Sequence, residues 1–246
     1  MYMRARFGPP AYELAKLIIP RPGGHVKFRI LVGAMAGVAM SATALSAQVC
    51  QGDLSFRGSS THVGGSLAMS NNTTSFGGGL SVGHSKGWYT GGSVGMLSYN
   101  NAGGNSVVVS GGLGYSMPVQ QRSKWQVCPG GTLSLGFGPN VTVGGATMHT
   151  SSQTLSLGAS FGTSVSVSKT QNLLPFFSAA MGHTRFAAKL NGNSTSTSDN
   201  YLLLGAGAGF QLTPSLVLRP ALTLAAGADL VDDTAFSFGV TWALPR

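Results

Sequence analysis

Few side chains in this sequence could do chemistry, and their spacing limits which chemistry that is. His149 and Ser151 stand two apart. In an extended strand such positions share a face, so the imidazole could serve a serine nucleophile as general base. A third group should orient that histidine, and the chain's only glutamate is Glu13. Asp232 and Asp233 form a second candidate, an adjacent carboxylate pair. With Asp229 they also make a weak divalent-cation candidate in one loop. His62 and His84 are isolated, and no two histidines have ligand spacing. Cys50 and Cys128 are the only cysteines, too few for a zinc site. No phosphate loop, nucleophile elbow, HExxH or dinucleotide fingerprint occurs. Glycine pairs such as Gly64-Gly65 and Gly111-Gly112 lie inside alternating segments, without the strand-to-helix context that gives a glycine loop meaning. The chain reads as a non-enzyme, with no catalytic residue, no cofactor and no metal assigned.

The elements that must position these residues follow from composition. The 246 residues include 37 glycines; 9% are charged and 43% hydrophobic. So few charges argue against helix bundles and coiled coils, and so many apolar residues argue against ordinary disorder. The formal charge of +9 suggests nucleic acid until it is located. Arg4, Arg6, Lys16, Arg21, Lys27 and Arg29 precede Ala47, and the remaining cations are scattered. A phosphate-tracking surface needs a stripe or patch, so nucleic acid is excluded as a partner.

The amino end reads as a processing signal. Lys27 and Arg29 precede the apolar run Ile30–Met40, and the small-residue stretch SATALSAQ follows. This is the order of a secretory signal peptide, with cleavage expected near Ala47. Residues 1–47 are thus an upstream extension and signal, 48–59 a periplasmic pre-strand segment, and 60–246 the folded unit.

Beyond residue 60 the hydrophobic period is two. Leu155, Leu157, Ala159, Phe161, Val165 and Val167 alternate with Ser156, Gly158, Ser160, Gly162, Ser164 and Ser166. Phe236, Phe238, Val240, Trp242 and Leu244 do the same against Ser237, Gly239, Thr241 and Ala243. A helix would scatter each set around its axis. The pattern predicts ten strands: 60–69, 74–85, 87–99, 105–117, 123–138, 154–168, 174–190, 200–212, 215–226 and 234–245. The longer connections are 70–74, 99–105, 139–153, 191–200 and 227–233. The tighter ones are 85–86, 118–122, 169–174 and 213–215.

A soluble sandwich would show charge on its second face; here that face is glycine, serine and threonine. Lipid outside and a small-residue lumen inside account for the inversion, and closure pairs every backbone group, as hydrocarbon demands. The expected fold is therefore all-β: a closed antiparallel up-and-down transmembrane barrel of about ten strands, within a range of 8 to 12. A secreted Gly-rich fibre is disfavoured because the segments share no fixed short repeat.

The signal peptide, the Gly-rich alternation and the final strand FSFGVTWALPR resemble the small bacterial outer-membrane β-barrel proteins, the porin-like and OmpA-like barrel group. The resemblance covers residues 48–246. It implies residence in the bacterial outer membrane, contact with its lipid, and help from the barrel-assembly machinery and periplasmic chaperones during biogenesis. The family's last strand usually ends in an aromatic residue, whereas here Trp242 is followed by Leu244-Pro245-Arg246. No peptidoglycan-binding domain is expected after the barrel, so wall anchoring of the OmpA type is not implied. His149-Thr150-Ser151 is similar to the catalytic pair of outer-membrane lipid A deacylases, and Asp232-Asp233 to half of an omptin-type protease site, which that family pairs with an Asp–His on the facing strands; His183 and Asp199 are the only conceivable partners here. Both are the least favoured readings.

The barrel frame gives the remaining residues their expected places. Cys50 and Cys128 fall at the periplasmic end, where export permits a disulfide, and they are expected to form one; two unpaired buried thiols are the alternative. Trp88, Tyr89, Trp125, Phe176, Phe177 and Trp242 are expected to form a periplasmic aromatic girdle. His183, Arg185 and Arg219 are the lumen candidates. Inward glycine and serine leave room for water, so the expected function is a passive narrow pore for small solutes. The alternative is a structural or surface-binding barrel that does not conduct.

Overall fold

The computed structural model describes residues 49–56, 61–84, 86–99, 104–119, 124–139, 141–143, 146–168, 170–190 and 193–245. The signal region lies outside the described residues.

Ten long strands follow one another: β1 (Thr61–Ser70), β2 (Thr73–Gly83), β3 (Trp88–Tyr99), β4 (Asn105–Tyr115), β5 (Gln126–Phe137), β6 (Ala146–Gly162), β7 (Asn172–Leu190), β8 (Asn193–Thr213), β9 (Leu216–Ala226) and β10 (Thr234–Ala243). Each pairs antiparallel with the next, and β1 also pairs with β10, Val63 opposite Trp242 and Leu67 opposite Phe238. This last ladder closes the sheet into a barrel and removes both edges.

The closure sorts side chains by parity. Leu155, Leu157 and Phe161 point outward and are exposed, while Ser152, Thr154, Ser156 and Ser160 point inward and are buried. The outward apolar set needs lipid, and the inward set makes its own hydrogen bonds. Ser110 donates to Ser134 over 2.8 Å. The Thr184 hydroxyl lies 2.9 Å from those of both Thr154 and Tyr201, linking three strands through the interior.

Two predicted loops are strand instead. Residues 146–153, expected in a loop, form the outer half of β6 and pair with β7 as far as Met148 opposite Leu190. Asn193–Asn200 likewise extend β8, each residue opposite one of Leu190–His183. The backbone ladder continues there although the hydrophobic alternation stops, because Ser and Thr satisfy a strand outside the lipid as well as within it. At the other end β6 stops at Gly162, short of the expected residue 168, and Val165–Ser166 make a separate bridge to β7.

Candidate functional site: a plugged bore

The interior is filled at the short-turn end, where β1 begins and β10 ends. Residues 49–56 enter the bore there. Val49, Cys50, Gly52, Asp53, Leu54 and Phe56 are buried, and Val49–Gln51 form one 3-10 turn. The segment has no period-two pattern to join the sheet, and glycines on the wall make room for it. A Cβ on Gly162 would stand 2.6 Å from the Val49 carbonyl oxygen. A Cβ on Gly209 would overlap the Gly52 carbonyl, and one on Gly83 the Phe56 ring. Gly52 itself has φ of 72°, a left-handed turn that glycine adopts without strain.

Three attachments hold the segment. The first is covalent: Cys50 is joined to Cys128 of β5 by a disulfide across a sequence separation of 78, with the Cα atoms 6.0 Å apart. The second is electrostatic. Asp53 Oδ2 accepts a 2.8 Å bond from the Thr241 hydroxyl and lies 3.9 Å from Arg219 Nη1. Arg219 Nη1 also donates to the Gln51 carbonyl over 3.2 Å, so one guanidinium engages both the plug's backbone and its carboxylate. Burial pushes the Asp53 carboxyl above the usual carboxylate range, opposed by the guanidinium and by hydrogen bonds from Thr241 and Leu54. The third is packing: the Phe56 ring stacks on His62 at 4.4 Å and lies 6.2 Å from Tyr89.

The long-hairpin end is narrowed by a different device. The connection between β9 and β10 folds inward, where Val231 packs with Tyr201, Leu203, Ala225 and Ala235. The Asp232 carboxylate accepts bonds from Asn72, over 2.6 Å, and from Ser70. Asp199 accepts from the Asp229 and Leu230 amides at 2.7 and 3.1 Å. Between plug and loop lies a cavity of about 120 Å³, lined among others by Gly112, Gly130, Gly158, Thr223 and Arg219. The Ser156 and Ser160 hydroxyls are buried in its wall without a protein partner, which suits a space that takes water.

The structure redistributes the candidates read from the sequence. Arg219 points inward, against the plug. His183 and Arg185 do not: they alternate with the buried Gly182, Thr184 and Phe186 and share the outer face with Met181. The reason is parity, since β7 carries apolar residues on both faces and its sequence does not declare which looks in. Among the girdle candidates Trp88, Trp125, Phe177 and Trp242 are exposed on the outer face. Tyr89 turns inward and is buried, its hydroxyl receiving the Gln51 side-chain amide at 3.2 Å. Phe176 also turns inward, against Gly52 and Gly207.

The two hydrolase-like arrangements do not assemble. His149 and Ser151 lie on the outer face of β6, opposite Lys189 and Ala187, and no acidic residue stands in those rows to orient the imidazole. Asp232 is buried with Ser70 and Asn72, while His183 faces outward with Nδ1 2.8 Å from Asn200 Oδ1. Among the described residues no three His, Cys, Asp or Glu side chains converge as a metal site.

The plug is the feature that sequence reasoning missed. The signal available was charge: Asp53 is the only acidic residue ahead of the first strand and beyond the expected cleavage point, in a chain with few other acids.

No curated protein matches the chain. Among solved structures it is similar to the N-terminal β-barrel domain of OprF from Pseudomonas aeruginosa, at 10% identity and a TM-score of 0.35 over 75% of this chain and 96% of that one. It is similar to Ail, the attachment invasion locus protein of Yersinia pestis, at 16% identity and a TM-score of 0.36, covering 75% and 95%. Neisserial surface protein A is similar at 16% identity and a TM-score of 0.36, covering 76% and 98%. The family described as outer membrane protein beta-barrel domain matches residues 30–243, nearly the whole chain and every strand of the barrel, and the chain belongs to that family.

Proposed function

We propose that this protein is a non-conducting barrel of the bacterial outer membrane, a structural and surface-presenting protein and not a solute pore. The observation that carries the reading is the seating of residues 49–56 in the bore, bonded to β5 through Cys50–Cys128 and ion-paired to β9 through Asp53–Arg219. In this reading the short-turn end and its plug face the periplasm, and the long hairpins β5–β6 and β7–β8 face outward. Short turns inside and longer excursions outside are the usual arrangement of such barrels. A passive narrow pore is the second reading. It is favoured by the cavity above the plug, whose small hydroxyl-bearing lining leaves room for water once the plug has moved.

Planar-bilayer recording separates the two. Folded oxidised protein, recognised by its altered gel mobility before boiling, should give no stable conductance steps. Regular steps from that same preparation would establish the pore.

A further inference from the structure

The outer face of β6, β7 and β8 changes character abruptly over a few rows of the sheet. Met181 is 72% exposed and stands between Leu157 and Leu202, an apolar row. The next row is Leu155, His183 and Asn200, and the one beyond is Gln153, Arg185 and Ser198. Two rows further come His149, Lys189 and Ser194. Among the described residues Arg185 and Lys189 are the only Lys or Arg on the long-hairpin half of the barrel, since Lys86 and Lys124 lie at the short-turn end and Arg219 points into the bore. No acidic residue occupies any of these rows; Asp199, of opposite parity, accepts bonds from the β9–β10 loop instead.

The depth of these rows is informative. Two rows of sheet measure about 13 Å along a strand, or about 10 Å along the membrane normal at the tilt of such barrels. If Met181 marks the edge of the hydrocarbon, the His183 backbone stands one row or about 5 Å above it, inside a headgroup layer that extends about 5–8 Å on each side, and the Arg185 backbone stands just beyond that layer, its long side chain able to reach back into it. His183 donates from Nδ1 to Asn200 Oδ1, which leaves Nε2 free of that bond. Arg185 makes only a 3.4 Å contact with the Ser196 hydroxyl, a weak bond that a stronger acceptor can replace.

We propose that His183 and Arg185, flanked by the polar side chains of Gln153, Ser198 and Asn200, bind the phosphate of a lipid headgroup whose acyl chains lie along Met181, Leu157 and Leu202. The guanidinium offers paired donors to a phosphate, and hydrocarbon immediately below favours an amphiphile over a free anion. Lys189 and His149 lie too far above the apolar row to share this phosphate and contribute only a favourable field. The proposal rests on the barrel standing in a bilayer, whatever its conductance.

The test uses the full folded protein in a neutral, phosphate-free detergent, with phosphatidic acid or the diacylglycerol of the same chains added, and native mass spectrometry to count retained lipid. Phosphatidic acid should be retained and diacylglycerol not. Arg185→Ala should weaken retention about fivefold, the usual worth of one cation at a lipid surface, and Lys189→Ala should weaken it far less. Inorganic phosphate at equal concentration should not compete. Equal retention of both lipids by the wild-type protein, competition by inorganic phosphate, or equal losses in the two variants would each overturn the proposal. Heat-modifiable mobility reports separately whether each sample is a closed barrel, and the two-lipid comparison needs no variant.

Discussion

The Arg219 guanidinium stands 3.9 Å from the Asp53 carboxylate, with both side chains almost wholly withdrawn from water. A buried pair of this kind adds little net stability compared with an apolar pair, but it makes the loss of either partner costly. Arg219 is on the wall and Asp53 on the plug, so the pair reports directly on whether the plug is seated.

Arg219→Ala should therefore destabilise the seated plug by about 3–5 kcal/mol, the usual result of stranding one buried charge. The sign of its pH dependence follows from burial, which already raises the Asp53 carboxyl. Removing the guanidinium takes away the main opposing influence, so the carboxyl rises further. A group whose folded-state pKa is raised favours the folded state below the ordinary carboxylate range. That contribution is lost as pH rises through the folded-state value. The variant's plug should resist protease best in acid and become cleavable toward neutral pH. Asp53→Asn combined with Arg219→Met should recover much of the loss. Protease resistance independent of pH in Arg219→Ala would contradict this account.

Cys50→Ser with Cys128→Ser should release the covalent attachment without opening the barrel. Closing so long a loop is worth about 4–5 kcal/mol on the chain-entropy account. The double variant should unfold at lower urea yet keep its heat-modifiable mobility, since the β1–β10 ladder remains. Thiol titration of the denatured wild-type protein should find no free thiol before reduction and both cysteines after it. An unchanged urea midpoint would mean that the ion pair and packing suffice.

The barrel was legible in the sequence because lipid and lumen impose opposite demands on alternate residues, and the contrast is plain in LSLGASFG and FSFGVTWA. Where the contrast vanishes, so does legibility. NSTSTSDN is polar on both faces and reads as loop, yet it extends β8 because its backbone still finds β7 beside it. Phe176 and Phe177 stand side by side in β7, so the inward parity of that strand, and with it the side of His183 and Arg185, is settled only by neighbouring strands. The plug lacks any periodicity. It is specified by wall glycines whose partners are distant in sequence, and no local pattern records such a contact.

Thr184→Val should remove both ends of the Thr154–Thr184–Tyr201 hydroxyl chain while conserving volume. Leaving two buried hydroxyls short of a partner should cost about 1–3 kcal/mol. His183→Ala, one position away on the outer face, should stay within about 0.5 kcal/mol of wild type. Urea midpoints of the two variants in the same detergent decide the point. A larger effect for His183 would reverse the inward and outward assignment of β7.

Gly209→Val gives the sharpest test of the plug as a stopper. Gly209 lies on the inner wall of β8, and any side chain there would occupy the space of the Gly52 carbonyl. The wall cannot retreat, because β8 is held by ladders to β7 and β9 on either side. The plug must yield instead, and its disulfide keeps it tethered close to the mouth. The variant should thus remain a closed barrel by heat-modifiable mobility, become sensitive to protease within residues 49–56, and conduct in planar bilayers where the wild-type protein should be silent. Adding Cys50→Ser and Cys128→Ser to it should lengthen the open intervals, because a displaced plug would no longer be returned by its tether. If Gly209→Val exposes the segment to protease but still fails to conduct, the bore is obstructed elsewhere, and the inward loop with Val231 against Tyr201 and Leu203 becomes the stopper that matters.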